Sequence, residues 1–188
     1  MKSKINKTAL VTGCTSGIGL ETCIGLAKKN FNLILISRSD EKLSNLSREL
    51  IDKYGVKTNC FVCDLSSLKD IHKMCIQICN YSNHIDVIIN NAGAIYMEKQ
   101  FSVDGLEMTF ALNHMSYFAL TTNLLENLDN TDDLRIINVS SQAHRNIKLD
   151  LDGLDRGDNY NGWLAYKKSK LANIYFTYYM AKKLLGKS

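Results

Sequence analysis

Five short strand-like runs, at 8–12, 32–37, 58–63, 85–90 and 135–141, alternate with stretches of helical periodicity. The helical stretches run to ~12–15 residues, the length of a crossover that joins parallel strands. Asn32-Leu33-Ile34-Leu35-Ile36 is apolar without alternation, as expected of a parallel strand covered on both faces. The pattern predicts an α/β chain, one domain over 1–188, built as a three-layer, doubly wound parallel sheet. Right-handed crossovers and a ligand cleft beyond the C-terminal strand ends follow from that topology.

Residues that carry chemistry fall at those strand ends. The first run leads into Gly13-Cys14-Thr15-Ser16-Gly17-Ile18-Gly19 and then a helix over 18–30, with Ile18, Cys23, Ile24, Leu26 and Ala27 expected to pack on the sheet. Strand, glycine turn and helix start together present free backbone N–H groups to a phosphate. The second run ends at Ser37-Arg38-Ser39, where an acidic residue would favour the ribose hydroxyls of NAD. A guanidinium there suits a 2′-phosphate, which points to NADP. Asp64 and the Leu65 backbone close the third run and face an adenine edge; Asn90-Asn91-Ala92-Gly93 closes the fourth.

A long helical pattern spans 101–128, beginning near Asp104-Gly105, with Asn113 inside it and Phe118 on its apolar surface. The fifth run ends in Ser140-Ser141, and alternation puts one serine in the cleft and the other in the core. The 149–162 segment is polar and loop-like. A last helix carries Tyr166 and Lys170 on one face, one turn apart, with Leu171, Ile174, Tyr175, Tyr178 and Leu184 on its apolar side. A cation beside a phenol favours the phenolate, which suits proton exchange with an alcohol or carbonyl oxygen.

Composition narrows the function classes. Hydrophobic residues are 45% and charged ones 22%, with net charge +4 and no dense basic block; nucleic acid is not an expected partner. No apolar run approaches the ~20 residues of a membrane span. The polar start, leading into a strand at residue 8, leaves no room for a signal peptide, so a cytoplasmic location is expected. Cys60, Cys63, Cys75 and Cys79 have a superficial zinc-site spacing, but they fall on a strand and on a helix stripe, and reduced core thiols are the better reading.

Taken together, Thr12-Gly13-x-x-x-Gly17-Ile18-Gly19, Asp64-Leu65, Asn90-Asn91-Ala92-Gly93, Asn113, Ser140-Ser141 and Tyr166-x-x-x-Lys170 resemble the short-chain dehydrogenase/reductase family. Asn113-His114-Met115, Val139-Ser140-Ser141-x-Ala143-His144 and Leu164-Ala165-Tyr166-x-x-Ser169-Lys170-Leu171-Ala172-Asn173 resemble its retinol-dehydrogenase-like, WW-domain-oxidoreductase-like branch. The resemblance implies a Rossmann-type sheet in the order 3-2-1-4-5 and NADP(H) as cofactor, with NAD less favoured. It also implies a small lipophilic alcohol or carbonyl as substrate. It places the cofactor against Gly13, Thr15, Ser16, Gly17, Ile18 and Gly19, against Arg38, Asp64 and Leu65, and against Asn91, Ala92 and Gly93. Tyr166 would exchange the proton, Lys170 would support it and hold the nicotinamide ribose, and Ser141 would hydrogen-bond the substrate oxygen. Asn113 would position a water behind Lys170.

Relatives of that kind continue past the Tyr/Lys helix with two further strands and a loop that closes on substrate. The chain ends at Ser188 and has no proline, against an average near 5%, as expected if that second half is lacking. The fifth strand would then be a bare apolar edge. Two alternatives to a working enzyme follow: a nucleotide-binding module without turnover, and a scaffold whose fifth strand pairs with a partner or a second copy.

Overall fold

The structure, a computed structural model, describes residues 6–82, 84–128, 133–150 and 160–185. Its centre is a five-stranded parallel sheet of β1 (Thr8–Thr12), β2 (Asn32–Ser37), β3 (Thr58–Val62), β4 (Val87–Asn90) and β5 (Arg135–Asn138), in the order β3-β2-β1-β4-β5. This is the doubly wound order expected from the sequence. The reversal lies between β1 and its two neighbours, so the ends of β1 and β4 frame a crevice.

The three layers follow from the period of two along β1 and β2. Leu10, Ile34 and Ile36 point to one face, where Ile71, Met74 and Ile78 of α3 (Leu68–Tyr81) and Leu120 and Leu124 of α5 (Ser116–Asn127) cover them. Ala9, Val11, Leu33 and Leu35 point to the other. There Cys23 and Ala27 of α1 (Gly17–Ala27) and Leu43, Leu46 and Leu50 of α2 (Asp40–Tyr54) pack. Each fully buried Leu or Ile stabilises the fold by about 1.5–3 kcal/mol. Helix ends are locally encoded. Ser39 caps α2 by accepting from Lys42 N, Ser67 caps α3 by accepting from Asp70 N, and Gly55 ends α2 at φ 68°.

Several local expectations are corrected. The 101–128 stretch is not one helix. Phe101 bridges Glu107, a single turn α4 (Met108–Phe110) follows, and Ala111–Met115 is a π-helical turn before α5. The wide turn shifts the buried stripe, and Phe118 is left exposed. Ile18 is 70% exposed, because the first turn of α1 stands beyond the sheet edge at the cleft. On α6 (Gly162–Leu185) the buried apolar side chains are Ala165, Leu171, Ala172, Phe176 and Met180, which leaves Tyr175 and Tyr178 facing outward. β5 stops at Asn138, so Ser140 and Ser141 both lie past the strand, and neither enters the core. Most of the 149–162 segment lies outside the described residues.

Candidate active site

One cleft of about 560 Å³ lies over the C-terminal ends of β1, β2 and β4. Its walls bring together the glycine loop, Arg38, the Asn91–Gly93 turn, Ser141, Tyr166 and Lys170.

The glycine loop forms because two positions have no room for a side chain. Gly13, at φ 64°, would drive a Cβ into Ala92 Cα, and a Cβ on Gly19 would fall on Gly13 O. Thr12 Oγ1 accepts from Asn91 N at 2.9 Å and from Ala92 N at 3.0 Å, and Asn91 Nδ2 donates to Thr12 O at 3.0 Å. These bonds lock the β1 and β4 ends to each other. Thr15 and Ser37 hydroxyls, 3.1 Å apart, tie the loop to β2. Ser16 sits at the N-cap of α1, yet its side chain caps nothing, and the first turn carries no acidic residue. The helix start therefore offers unsatisfied N–H groups and a partial positive charge to the cleft. Arg38 at the end of β2 adds a full charge on the same wall. This donor set fits a phosphorylated dinucleotide.

Asp64 lies between two residues of the cleft wall, and one of its carboxylate oxygens is used locally. Its Oδ1 accepts from Ser66 N at 2.9 Å and from Ser66 Oγ at 2.7 Å, while Cys63 and Leu65 line the cleft. The carboxylate shapes the turn that presents Leu65.

Tyr166 is held by the way α6 enters. Asn161 Oδ1 accepts from Leu164 N at 2.9 Å, and the single Tyr160 hydroxyl hydrogen is shared between Glu107 Oε1 at 2.7 Å and Tyr96 O at 3.0 Å. Gly162 lies so close to Tyr96 that a Cβ would fall on its carbonyl oxygen. Trp163, the chain's single tryptophan, stacks on Tyr166 at 5.4 Å and 24°. One turn on, Lys170 is 4% exposed. Its Nζ donates to Val139 O at 3.1 Å and stands 5.7 Å from the ring centres of both Tyr166 and Tyr117. Burial pushes its pKa down to about 8.

Ser141 lines the cleft and its Oγ accepts from Ala143 N at 3.2 Å, which leaves its O–H free to donate. Ser140 also lines the cleft, but its hydroxyl donates to Lys170 O at 2.7 Å. Of the two serines, Ser141 is the one with a donor available to the cleft. Asn113 is fully buried. Its Oδ1 accepts from Ala94 N at 2.8 Å, and its Nδ2 donates to Ala94 O at 2.9 Å and Ser169 Oγ at 3.2 Å. The side chain therefore ties the segment after β4 to the Tyr166 helix. Gly93 is wedged between Asn113 Oδ1 and Lys170 Nζ, 3.1 and 3.6 Å from where its Cβ would stand.

Two participants escape sequence reasoning. Tyr117, 1% exposed, donates to Ala92 O at 2.9 Å and lies under Lys170. Asn173, fully buried, donates from Nδ2 to Asn113 O at 2.9 Å. The available signal is spacing: Tyr117 is one turn from Asn113, and Asn173 nearly one turn from Lys170. Among the described residues no group of three or more His, Cys, Asp or Glu side chains could hold a metal. No helix among them is long and apolar enough to cross a membrane.

Residues 7–188 match the family model of the short chain dehydrogenases. Human retinol dehydrogenase 13 is 37% identical over 182 residues, covering 96% of this chain and 55% of that protein. A chloroplastic short-chain dehydrogenase, TIC 32 A of Brassica napus, is 33% identical over 186 residues, 94% of this chain and 58% of that protein. The chain thus spans little more than half the length of the curated relatives it matches. An uncharacterised protein of Mycobacterium paratuberculosis superposes with a TM-score of 0.81 at 32% identity, covering 96% of this chain and 63% of that one. A metagenomic short-chain oxidoreductase solved with NADP superposes at 0.79 with 24% identity, covering 98% and 79%, a likeness of fold. By sequence along nearly its whole length, and by sheet order, this chain belongs to the short chain dehydrogenase family.

Proposed function

We propose that the chain carries the nucleotide-binding and proton-transfer part of an NADP(H)-dependent oxidoreductase that interconverts an alcohol and a carbonyl. The observation that carries this reading is the single cleft shared by an uncapped helix start, Arg38, Ser141, Tyr166 and Lys170. The retinol dehydrogenases among its relatives support a lipophilic substrate. Structural neighbours solved with NADP and NADPH support the phosphorylated cofactor. A cytosolic setting, which keeps the six free cysteines reduced, accords with this reading.

The bound nicotinamide supplies or accepts the hydride; the chain supplies placement and the proton. The N–H groups at the start of α1 hold the pyrophosphate, and Arg38 holds the 2′-phosphate. Cys63, Leu65 and the Asn91–Gly93 turn bound the adenosine end. Ser141 donates to the substrate oxygen as charge develops there. Tyr166 gives its proton to that oxygen in reduction and takes it back in oxidation. Lys170 stabilises negative charge on the phenol oxygen and holds the nicotinamide ribose. Behind it the Asn113 carbonyl, which accepts from Asn173, keeps a second lone pair for a relay water.

A second reading is nucleotide binding without turnover, which the glycine loop and Arg38 in the same cleft also support. Rates with NADPH and a panel of lipophilic carbonyls separate the two. Tyr166→Phe is expected to lower turnover by about 10²-fold or more with NADPH affinity kept. Turnover unchanged in that variant removes Tyr166 from its role. NADPH binding with no turnover by the unmodified chain establishes the second reading.

A further inference from the structure

We infer that His114 is a positioning residue for Lys170, acting through the Asn173 amide and the Val139 carbonyl. The inference rests on the oxidoreductase reading for what Lys170 does, and on hydrogen-bond geometry for how His114 reaches it.

The chain of contacts is short; its centre, Asn173, is fully buried, and its ends at His114 and Val139 are half-buried. Lys170 Nζ donates to Val139 O at 3.1 Å. The same carbonyl accepts from Asn173 Nδ2 at 3.4 Å, and that amide also donates to Asn113 O at 2.9 Å. His114 Nδ1 lies 2.9 Å from Asn173 Oδ1. Carbonyl oxygens only accept, so the Asn173 NH2 must face Asn113 and Val139, and its oxygen must face His114. The ring nitrogen must then carry the proton. That assigns the tautomer: His114 has Nδ1–H and donates to Asn173. The ring itself is gripped by Phe110 at 4.9 Å and Phe176 at 6.2 Å. Burial pushes the His114 pKa down and keeps the ring neutral.

The consequence is a fixed acceptor for a buried ammonium. Asn173 is fully buried, so bulk solvent does not reach it to replace a lost partner. Without the His114 donor its oxygen is orphaned, the amide is free to turn, and both carbonyls lose their brace. Val139 O is the carbonyl that holds Lys170, and Asn113 O lies beside it. His114 is 59 residues from Asn173 in sequence, so α6 is registered against the π turn by this contact.

Three substitutions separate donor from bulk. His114→Asn places an amide N–H where Nδ1–H stands. His114→Gln places it where Nε2 stands, and His114→Phe keeps the ring packing without a donor. Two readouts are used: NADPH affinity by calorimetry, and the Lys170 ammonium resonance in the spectrum of 15N-lysine-labelled protein. The expectation is affinity within about twofold of the parent for His114→Asn, and weakening of about tenfold for His114→Phe and His114→Gln. The slow-exchanging Lys170 resonance is expected to persist in the parent and in His114→Asn, and to vanish in the other two. Three variants equal to the parent, or three equally impaired, overturn the inference. If the parent fails to bind NADPH, the functional reading falls, and the Lys170 resonance alone decides the role of His114.

Discussion

Arg38 follows the last residue of β2, Ser37, on a wall of the cleft that also receives the start of α1. A guanidinium that pairs with a 2′-phosphate acts on one cofactor and not the other. Charge-assisted bonds of this kind contribute about 1.5–3 kcal/mol. Arg38→Ala is therefore expected to weaken NADPH by roughly 10- to 100-fold while leaving NADH nearly unchanged, as measured by calorimetry. Equal losses for the two cofactors would refute the phosphate role. The residue scale also shows why one serine of a pair is chosen. Ser140 and Ser141 differ little in sequence, but the Ser140 hydroxyl is consumed by Lys170 O while Ser141 uses its oxygen and keeps its proton.

At the scale of elements, the approach to the cleft is built around a buried carboxylate. Glu107 is 2% exposed. Its Oε1 and Oε2 accept from Thr109 N and Phe110 N, each at 2.8 Å, and Tyr160 Oη donates to Oε1 at 2.7 Å. One side chain therefore caps α4 and anchors the segment that leads into α6. Glu107→Ala leaves two buried N–H groups without a partner and leaves the Tyr160 phenol with Tyr96 O alone. A loss of about 2–4 kcal/mol in urea unfolding is expected, with Glu107→Gln closer to the parent. A loss below about 1 kcal/mol would show that the cap does not hold the entry. The π turn at Ala111–Met115 belongs to this scale as well. Apolar periodicity over 101–128 announces a helix, but nothing in it marks one wide turn, because the extra residue is accommodated by partners on α6.

For the whole molecule, titration and the sheet edge give two further expectations. Burial pushes Cys63 and Cys75 from 9.0 up to about 12, and pushes Tyr117 up as well. Above pH 9 the unfolded chain sheds these protons while the folded chain keeps them, so stability falls with rising pH. Lys170 works the other way: its folded pKa of about 8 lies below the ordinary 10.5. Between those values the unfolded chain holds more protons, and this group, taken by itself, makes stability rise. Four thiols (Cys23, Cys60, Cys63 and Cys75) and two phenols (Tyr117 and Tyr160) are pushed up, against one amine and the Cys14 thiol pushed down. The urea midpoint is expected to decline from pH 9 to 10.5, and to decline more steeply in Lys170→Met. A midpoint flat over that range would contradict the assigned burial effects. At the sheet edge, β5 pairs only with β4 among the described residues, and Ile137 is 47% exposed. An apolar strand edge of this kind recruits another strand. Concentration-dependent association is expected in sedimentation velocity and should disappear in Ile137→Lys; association unchanged by the substitution would place the contact elsewhere.

Element type and order are legible in the sequence, and so are the glycine loop, Arg38 and the Tyr166–Lys170 pair. Those features arise from local causes: a period of two or 3.6, a cap, a glycine with no room for a Cβ. Such causes act over a few residues and can be read a few residues at a time. Tertiary structure alone decides that Asn113 braces Ala94 and Ser169, that Tyr117 lies beneath Lys170, and that Asn173 joins His114 to two carbonyls. These partners stand on different elements. Which buried donor meets which acceptor is set by how α6, the π turn and the β5 end pack, and every buried polar group must find its partner there.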